Sequence, residues 1–365
     1  MMAVTQDFQV IDADTHVVES DRTWEYLDPA DRKYRPTLVS AGGDKPTLHW
    51  LIDGKVSGHR AAAPDQRLLA EISERSGRDV DTPAGAREME DVSARLQHMD
   101  KLGVDIQVLY NTLWIEEVTT RPEIDVALCR SWNRWLADIW KDGKGRLRWS
   151  CVPPFTDLEN AIKEIKAARK NGAVAISMRP MEGTRLLLDP YFYPIYELAS
   201  DLDMAIAIHI ANGNAAVCDA LASPYDPGGQ FGRFRVPTVA SCHALIMSEI
   251  PQRFPKLRWA FVESSSQWIP WVINEAKRRY SGAGKPFPKN VLNEYQMYVA
   301  CQSDDDLPYI LQYSGDDNII TGSDYGHADP SSQLDTLQIV GQMKGVSQKQ
   351  KDNILYYNPK ALYDL

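Results

Sequence analysis

From Val10 to the end of the chain, short apolar runs of strand length alternate with longer amphipathic segments of helix length, and this alternation repeats about eight times. A strand–helix alternation implies a parallel sheet, because parallel neighbours must be joined by crossovers. Eight such units favour a closed (β/α)8 barrel of the TIM type, in the α/β class. The strands are expected at Val10–His16, Val104–Tyr110, Leu147–Val152, Ala173–Met178, Met204–His209, Leu257–Val262, Met297–Cys301 and Ile319–Asp324. No G-x-G-x-x-G follows an early strand, which disfavours an open dinucleotide-binding sheet, and no P-loop is present. Residues 28–86 break the rhythm with Pro29, Pro36, Gly42-Gly43, Pro46, Gly54 and Pro64, and Asp53-Gly54 suits a tight hairpin turn. We read 1–365 as one barrel domain, with 28–86 an insertion over its mouth.

Composition narrows the function classes. At 44% hydrophobic and 25% charged residues the chain reads as a soluble globular protein, and no apolar run reaches transmembrane length. The net charge of −10 argues against a nucleic-acid or anionic membrane surface. The five cysteines are scattered without C-x-x-C spacing, which fits reduced, buried thiols in a cytoplasmic protein, and the first residues lack signal-peptide features.

Reactive groups of such barrels lie at the C-terminal ends of the strands. Those ends supply Asp14 and His16 (first strand), Arg179 (fourth), His209 (fifth), Glu263 (sixth), Gln302 (seventh) and Asp324 with His327 (eighth). On an ideal strand Asp12, Asp14 and His16 share one face; set against the other strand ends, Asp14 and His16 are the candidate ligands and Asp12 is expected in a supporting or structural role. Imidazoles and carboxylates without thiolate suit zinc, manganese or iron. Taken singly, each has a bland explanation: His209 a core histidine, Asp324 a turn residue, Glu263 a helix cap, Arg179 an ion-paired arginine. Their conjunction at the ends of one barrel points to a metal site.

With these residues in view, the chain resembles the amidohydrolase-related proteins. The resemblance is carried by Asp14-x-His16, His209 and Thr321-Gly322-Ser323-Asp324-Tyr325-Gly326-His327. It is closer to the branch of aminocarboxymuconate-semialdehyde and resorcylate-type decarboxylases, through Ile250–Arg258 and the Asn358–Tyr363 ending. It implies a divalent metal, zinc foremost, held by Asp14, His16, His209 and Asp324, with Asp324 also moving a proton. Arg179 and Gln302 are then candidates to orient a substrate carboxylate. Two departures stand out: Asp14 replaces the first histidine of the usual H-x-H, and Glu263 stands where the decarboxylases carry a catalytic histidine. Glu263, His243 and His327 could instead complete a second set of ligands, as in dinuclear iron or manganese oxygenases on this fold; a helical His243 and an outer hydrogen-bonding His327 are the plainer alternatives. The expected function is metal-dependent hydrolysis or non-oxidative decarboxylation of a small carboxylated or amide-containing molecule. The alternatives are dinuclear oxygenation and a non-catalytic partner subunit. Family resemblance also implies a homo-oligomer or a complex with a related barrel.

Overall fold

The computed structural model describes residues 8–41, 47–60, 65–221 and 231–365. Eight parallel strands run in sequence order: β1 (Ile11–His16), β2 (Ile106–Tyr110), β3 (Leu147–Cys151), β4 (Ala173–Met178), β5 (Ala205–His209), β6 (Trp259–Val262), β7 (Met297–Cys301) and β8 (Ile319–Thr321). Helices follow the strands and cover the outside, so the strands are buried on both faces and carry near-continuous apolar runs. The fold is the expected (β/α)8 barrel. Among the described residues no helix is long and apolar enough to cross a membrane.

The ring closes at the site end. β1 and β8 meet through His16 N–H to Tyr325 O (2.6 Å) and Asp324 N–H to Asp14 O (3.0 Å). Below them the Asp12 carboxylate accepts from Ser323 N–H (2.9 Å) and Ser323 Oγ–H (2.6 Å). Gly322 permits this approach, since a Cβ there would lie 2.3 Å from Asp14 Cβ and 2.6 Å from Asp14 N. For that reason β8 ends at Thr321, and Asp324 sits three residues beyond it with φ +52°.

Small side chains fill the barrel interior: Ala13, Ala175, Ala205, Ala207, Ala260 and Ala300. They leave room for Tyr363, from the terminal turn Asn358–Tyr363, whose hydroxyl donates to Ala13 O (3.0 Å) and meets Tyr110 Oη at 2.7 Å. The larger apolar cluster lies between strands and helices and holds Trp132, Trp135, Trp149 and Trp259. Of the 28–86 segment, three antiparallel strands, Thr37–Ala41, Thr47–Ile52 and Lys55–Arg60, form a small sheet, followed by helix Gln66–Ser76. The hairpin turn is at Asp53-Gly54, both with positive φ. Ile52, Lys55 and Val56 line a pocket of about 320 Å³ with Leu113 and Asn212, which follow β2 and β5.

Candidate metal centre

The strand ends bring six of the named residues into one buried cluster. Asp14, His16, His209 and Glu263 place ligand atoms within 4.8 Å of one another, and His16, Glu263, Asp324 and His327 form a second such group. Asp14 Oδ1 lies 3.6 Å from His16 Nε2 and 3.4 Å from His209 Nε2. Glu263 Oε2 lies 3.6 Å from His16 Nε2 and 3.3 Å from His209 Nε2. Asp324 Oδ1 lies 3.4 Å from His16 Nε2 and 2.9 Å from His327 Nδ1. The His16 and His327 rings stack with centroids 3.8 Å apart.

The surrounding hydrogen bonds set the tautomers. His16 Nδ1–H donates to Asn111 O (2.8 Å), so Nε2 turns a lone pair inward. His209 Nδ1–H donates to Ile210 O (3.2 Å), with the same result. Thr112 Oγ–H donates to Val17 O (2.9 Å) and so must accept from His327 Nε2–H (3.0 Å), which leaves His327 Nδ1 to face Asp324 Oδ1 and share a proton with it. The Thr112 loop is itself held by Glu19, whose carboxylate accepts from Thr112 N–H, Leu113 N–H and Trp132 Nε1–H. Asp324 Oδ2 accepts from Ser332 Oγ–H (2.6 Å). His16 Nε2, Glu263 Oε2, Asp324 Oδ1 and His327 Nδ1 are all buried without a well-formed hydrogen bond. Buried polar atoms rarely stay unpaired. Four converging on one point mark a place built for a cation.

Charge has consequences in this space. Burial opposes ionisation of Asp14, but His16 and His209 outweigh it and hold the carboxyl below its ordinary range. Burial, with the Asp324 charge beside it, pushes the Glu263 carboxyl well above the usual carboxylate range. Burial disfavours protonation of His16, yet hydrogen bonding to Asp14 and the charge of Asp324 raise it. Burial and neighbouring His16 oppose protonation of His327, and Asp324 outweighs them. Glu263, like Asp324, has positive φ (+62°), as does Ser265 (+62°). Strained backbone of this kind persists only where its surroundings hold it. Here Asp305 does so, accepting from Ser265 Oγ–H (2.5 Å), Ser266 N–H (2.7 Å) and Ser266 Oγ–H (2.7 Å).

Other expected residues are placed differently. Asp12 stays out of the cluster, because one extra β1 residue between Asp12 and Thr15 shifts the register against β2 and breaks the alternation. Arg179 is not a free anchor: its Nε and Nη2 donate to Glu182 Oε2, and its Nη1 to Glu116 O (2.7 Å). Glu182 is brought there by a short hairpin, Met181–Glu182 paired with Arg185–Leu186. His243 belongs to neither ligand group; on helix Val236–Met247 it lines a separate apolar chamber. Gln302 does sit at the mouth, with Nε2 unpartnered. Sequence reasoning passed over Asn111, Thr112 and Ser332. Asn111 and Thr112 directly follow β2, so the strand-end rule applied to that strand would have found them.

Comparison with known proteins agrees with the geometry. The sequence profile of the amidohydrolase family matches residues 11–365. An amidohydrolase from Mycobacterium avium subsp. paratuberculosis superposes with TM-score 0.80, at 20% identity over 98% of this chain and 100% of that one. The 5-carboxyvanillate decarboxylase of Novosphingobium aromaticivorans, solved with manganese and 4-hydroxy-3-methoxy-5-nitrobenzoic acid, gives TM-score 0.68 at 17% identity, covering 99% and 97%. The 4-oxalomesaconate hydratase of Rhodopseudomonas palustris gives 0.62 at 14%, covering 98% and 96%. At these identities the structures share the fold, and the family assignment rests on the profile match along almost the whole chain. The chain belongs to the amidohydrolase family of enzymes.

Proposed function

We propose that this protein is a divalent-metal-dependent enzyme that hydrolyses or decarboxylates a small carboxylated or amide-containing molecule at the strand-end cluster. The observation that carries this reading is the set of four buried, unpaired donor atoms facing one another. Their spacing suits an ion: donors about 2.1 Å from a tetrahedral or octahedral metal stand about 3.0–3.4 Å apart. The separations of 3.3–3.6 Å around His16 and His209 are close to this. Asp14, His16, His209 and Glu263 or Asp324 would hold the ion. A divalent ion supplies Lewis acidity, polarising a substrate oxygen or acidifying a water. The chain's own groups do the rest. Asp324 carries the proton on Oδ1 while Ser332 fixes Oδ2. His327, oriented by Thr112, faces the same oxygen and accepts or returns that proton. The decarboxylase with bound manganese and the hydratase support the same class of chemistry by fold similarity.

A second reading, oxygenation at a dinuclear iron or manganese centre, is favoured by one observation: two donor groups overlap at His16 and Glu263 and together offer six ligands. Metal analysis of the loaded protein separates the two. One zinc or manganese per chain supports hydrolysis or decarboxylation, and two redox-active ions support oxygenation. Asp324→Asn should abolish turnover while sparing substrate binding. Failure to retain any metal, with stability unchanged in Asp324→Ala, would sink both.

A further inference from the structure

Arg235 was not among the sequence candidates, yet it is a cation at the barrel mouth with no counter-ion among the described residues; Arg87, which shares that lack, is spent on Thr82 Oγ and on the carbonyls of Val80 and His327. Arg179 is neutralised by Glu182, and Arg233 pairs with Asp219 (2.8 Å). Among the described residues no carboxylate lies within ion-pair distance of Arg235. Its Nη2 donates to Ser331 Oγ (3.0 Å), and its Nη1 reaches Gln302 Oε1 at 3.4 Å. Gln302 Nε2 beside it is buried without an acceptor. Gln302 follows β7, between the strands that lead to Glu263 and Asp324. An unpaired guanidinium and an unpaired amide N–H on two touching side chains, next to the metal cluster, are both short of the same thing, an anion. A buried donor without an acceptor is costly, and a carboxylate satisfies it together with the planar fork of an arginine.

Arg235 also borders an apolar chamber of about 680 Å³ between helices Val236–Met247 and Ile269–Gly282. Val236, Val239, Trp268, Trp271 and Val272 line it, and Ser264, the residue after Glu263, brings it to the barrel mouth. Glu275 and Arg279 on its wall pair with each other, so Arg235 supplies its unbalanced charge. Trp271 is 66% exposed and Phe231 68%, an aromatic rim that a bound apolar group would cover. The volume falls in the range of small-molecule pockets, about 300–1,000 Å³.

We propose that Arg235 and Gln302 form a carboxylate-recognition subsite, and that the substrate is an amphipathic organic carboxylate with its head on this pair and its apolar body in the chamber. The inference rests on the metal cluster being the catalytic centre. It is tested by titrating naphthalene-2-carboxylate and the uncharged naphthalen-2-ylmethanol into the full-length, manganese-loaded protein, following tryptophan fluorescence, with manganese content measured by equilibrium dialysis. The acid should bind at least about tenfold more tightly than the alcohol. Arg235→Gln should remove that preference while leaving alcohol binding and manganese content unchanged, Arg235→Lys should restore part of it, and Val239→Trp should block both ligands. Equal binding of acid and alcohol, no binding of either, or an Arg235→Gln protein with the wild-type preference overturns the subsite. Acid preference in a wild-type protein that holds no manganese would keep the subsite and overturn the catalytic reading instead.

Discussion

Thr112→Val tests the tautomer argument most directly. The substitution keeps the side-chain volume and removes one hydroxyl that serves two partners, Val17 O at 2.9 Å and His327 Nε2 at 3.0 Å. His327 then loses the acceptor that keeps a proton on Nε2 and fixes the ring's orientation toward Asp324. Two groups are left unpaired. An orphaned buried donor or acceptor costs about 1–3 kcal/mol, so the metal-free protein should lose stability of that order. His327 in turn steadies Asp324, a proposed ligand, and losing such an outer hydrogen-bonding partner costs about 10–100-fold in metal affinity. Manganese titration by calorimetry and urea unfolding of the metal-free protein read the two effects separately. Thr112→Ser, which keeps the hydroxyl, should recover most of both. If Thr112→Val binds manganese within about twofold of wild type while losing stability, the hydroxyl is only a packing contact and its orienting role toward His327 is wrong.

Other outcomes follow from the same geometry. Gly322→Ala forces a methyl against Asp14 backbone and should cost about 1–3 kcal/mol or more, with loss of metal binding, because β1 and β8 must part; unfolding and metal titration check it. Arg179→Gln leaves Glu182 buried without its partner and should destabilise by about 3–5 kcal/mol, with Arg179→Gln/Glu182→Gln recovering much of the loss in a double-mutant cycle. In the metal-free protein His16, His327 and Glu263 all hold protons more tightly folded than unfolded. Their contribution to stability is therefore present at low pH and lost as pH rises through the folded values, starting near the unfolded values of about 4.3 for Glu and about 6.5 for His. Asp14, held low, acts oppositely and loses its contribution on acidification below about pH 4. Metal must displace the first set of protons, so the melting temperature gained from added manganese should grow from about pH 6 to about pH 8; scans with and without the ion measure it.

The barrel was legible in the sequence because its signal is local. Runs such as Ala173–Met178 and Met297–Cys301 carry their own length and apolarity, and both are observed with the expected bounds. Asp14, His16, His209, Glu263, Asp324 and His327 converge because a parallel barrel sends every strand end to the same rim. What could not be read depends on contacts between distant segments. The neutralisation of Arg179 needs a hairpin that folds Glu182 back upon it. The supporting role of Asp12 was expected, but the one-residue irregularity in β1 that turns it toward Ser323 is announced by no residue type. Helical spacing placed His243 on a helix, without saying that its face lines an apolar chamber. Arg235 comes shortly after residues 222–230, which lie outside the described residues, and its importance appears only in what it lacks.

The seam between β1 and β8 joins residues 311 positions apart. Closing a loop of that length costs about 3 kcal/mol more in chain entropy than closing a ten-residue hairpin. Every earlier strand pair joins neighbours in sequence, so the seam is the slowest contact to form and the last available during synthesis. Until it forms, β1 presents an unpaired edge, and Asp14 and His16 have no Asp324 or His327 opposite them. Completion of the barrel and assembly of the centre are one event, and a partly folded chain carries no partly active site.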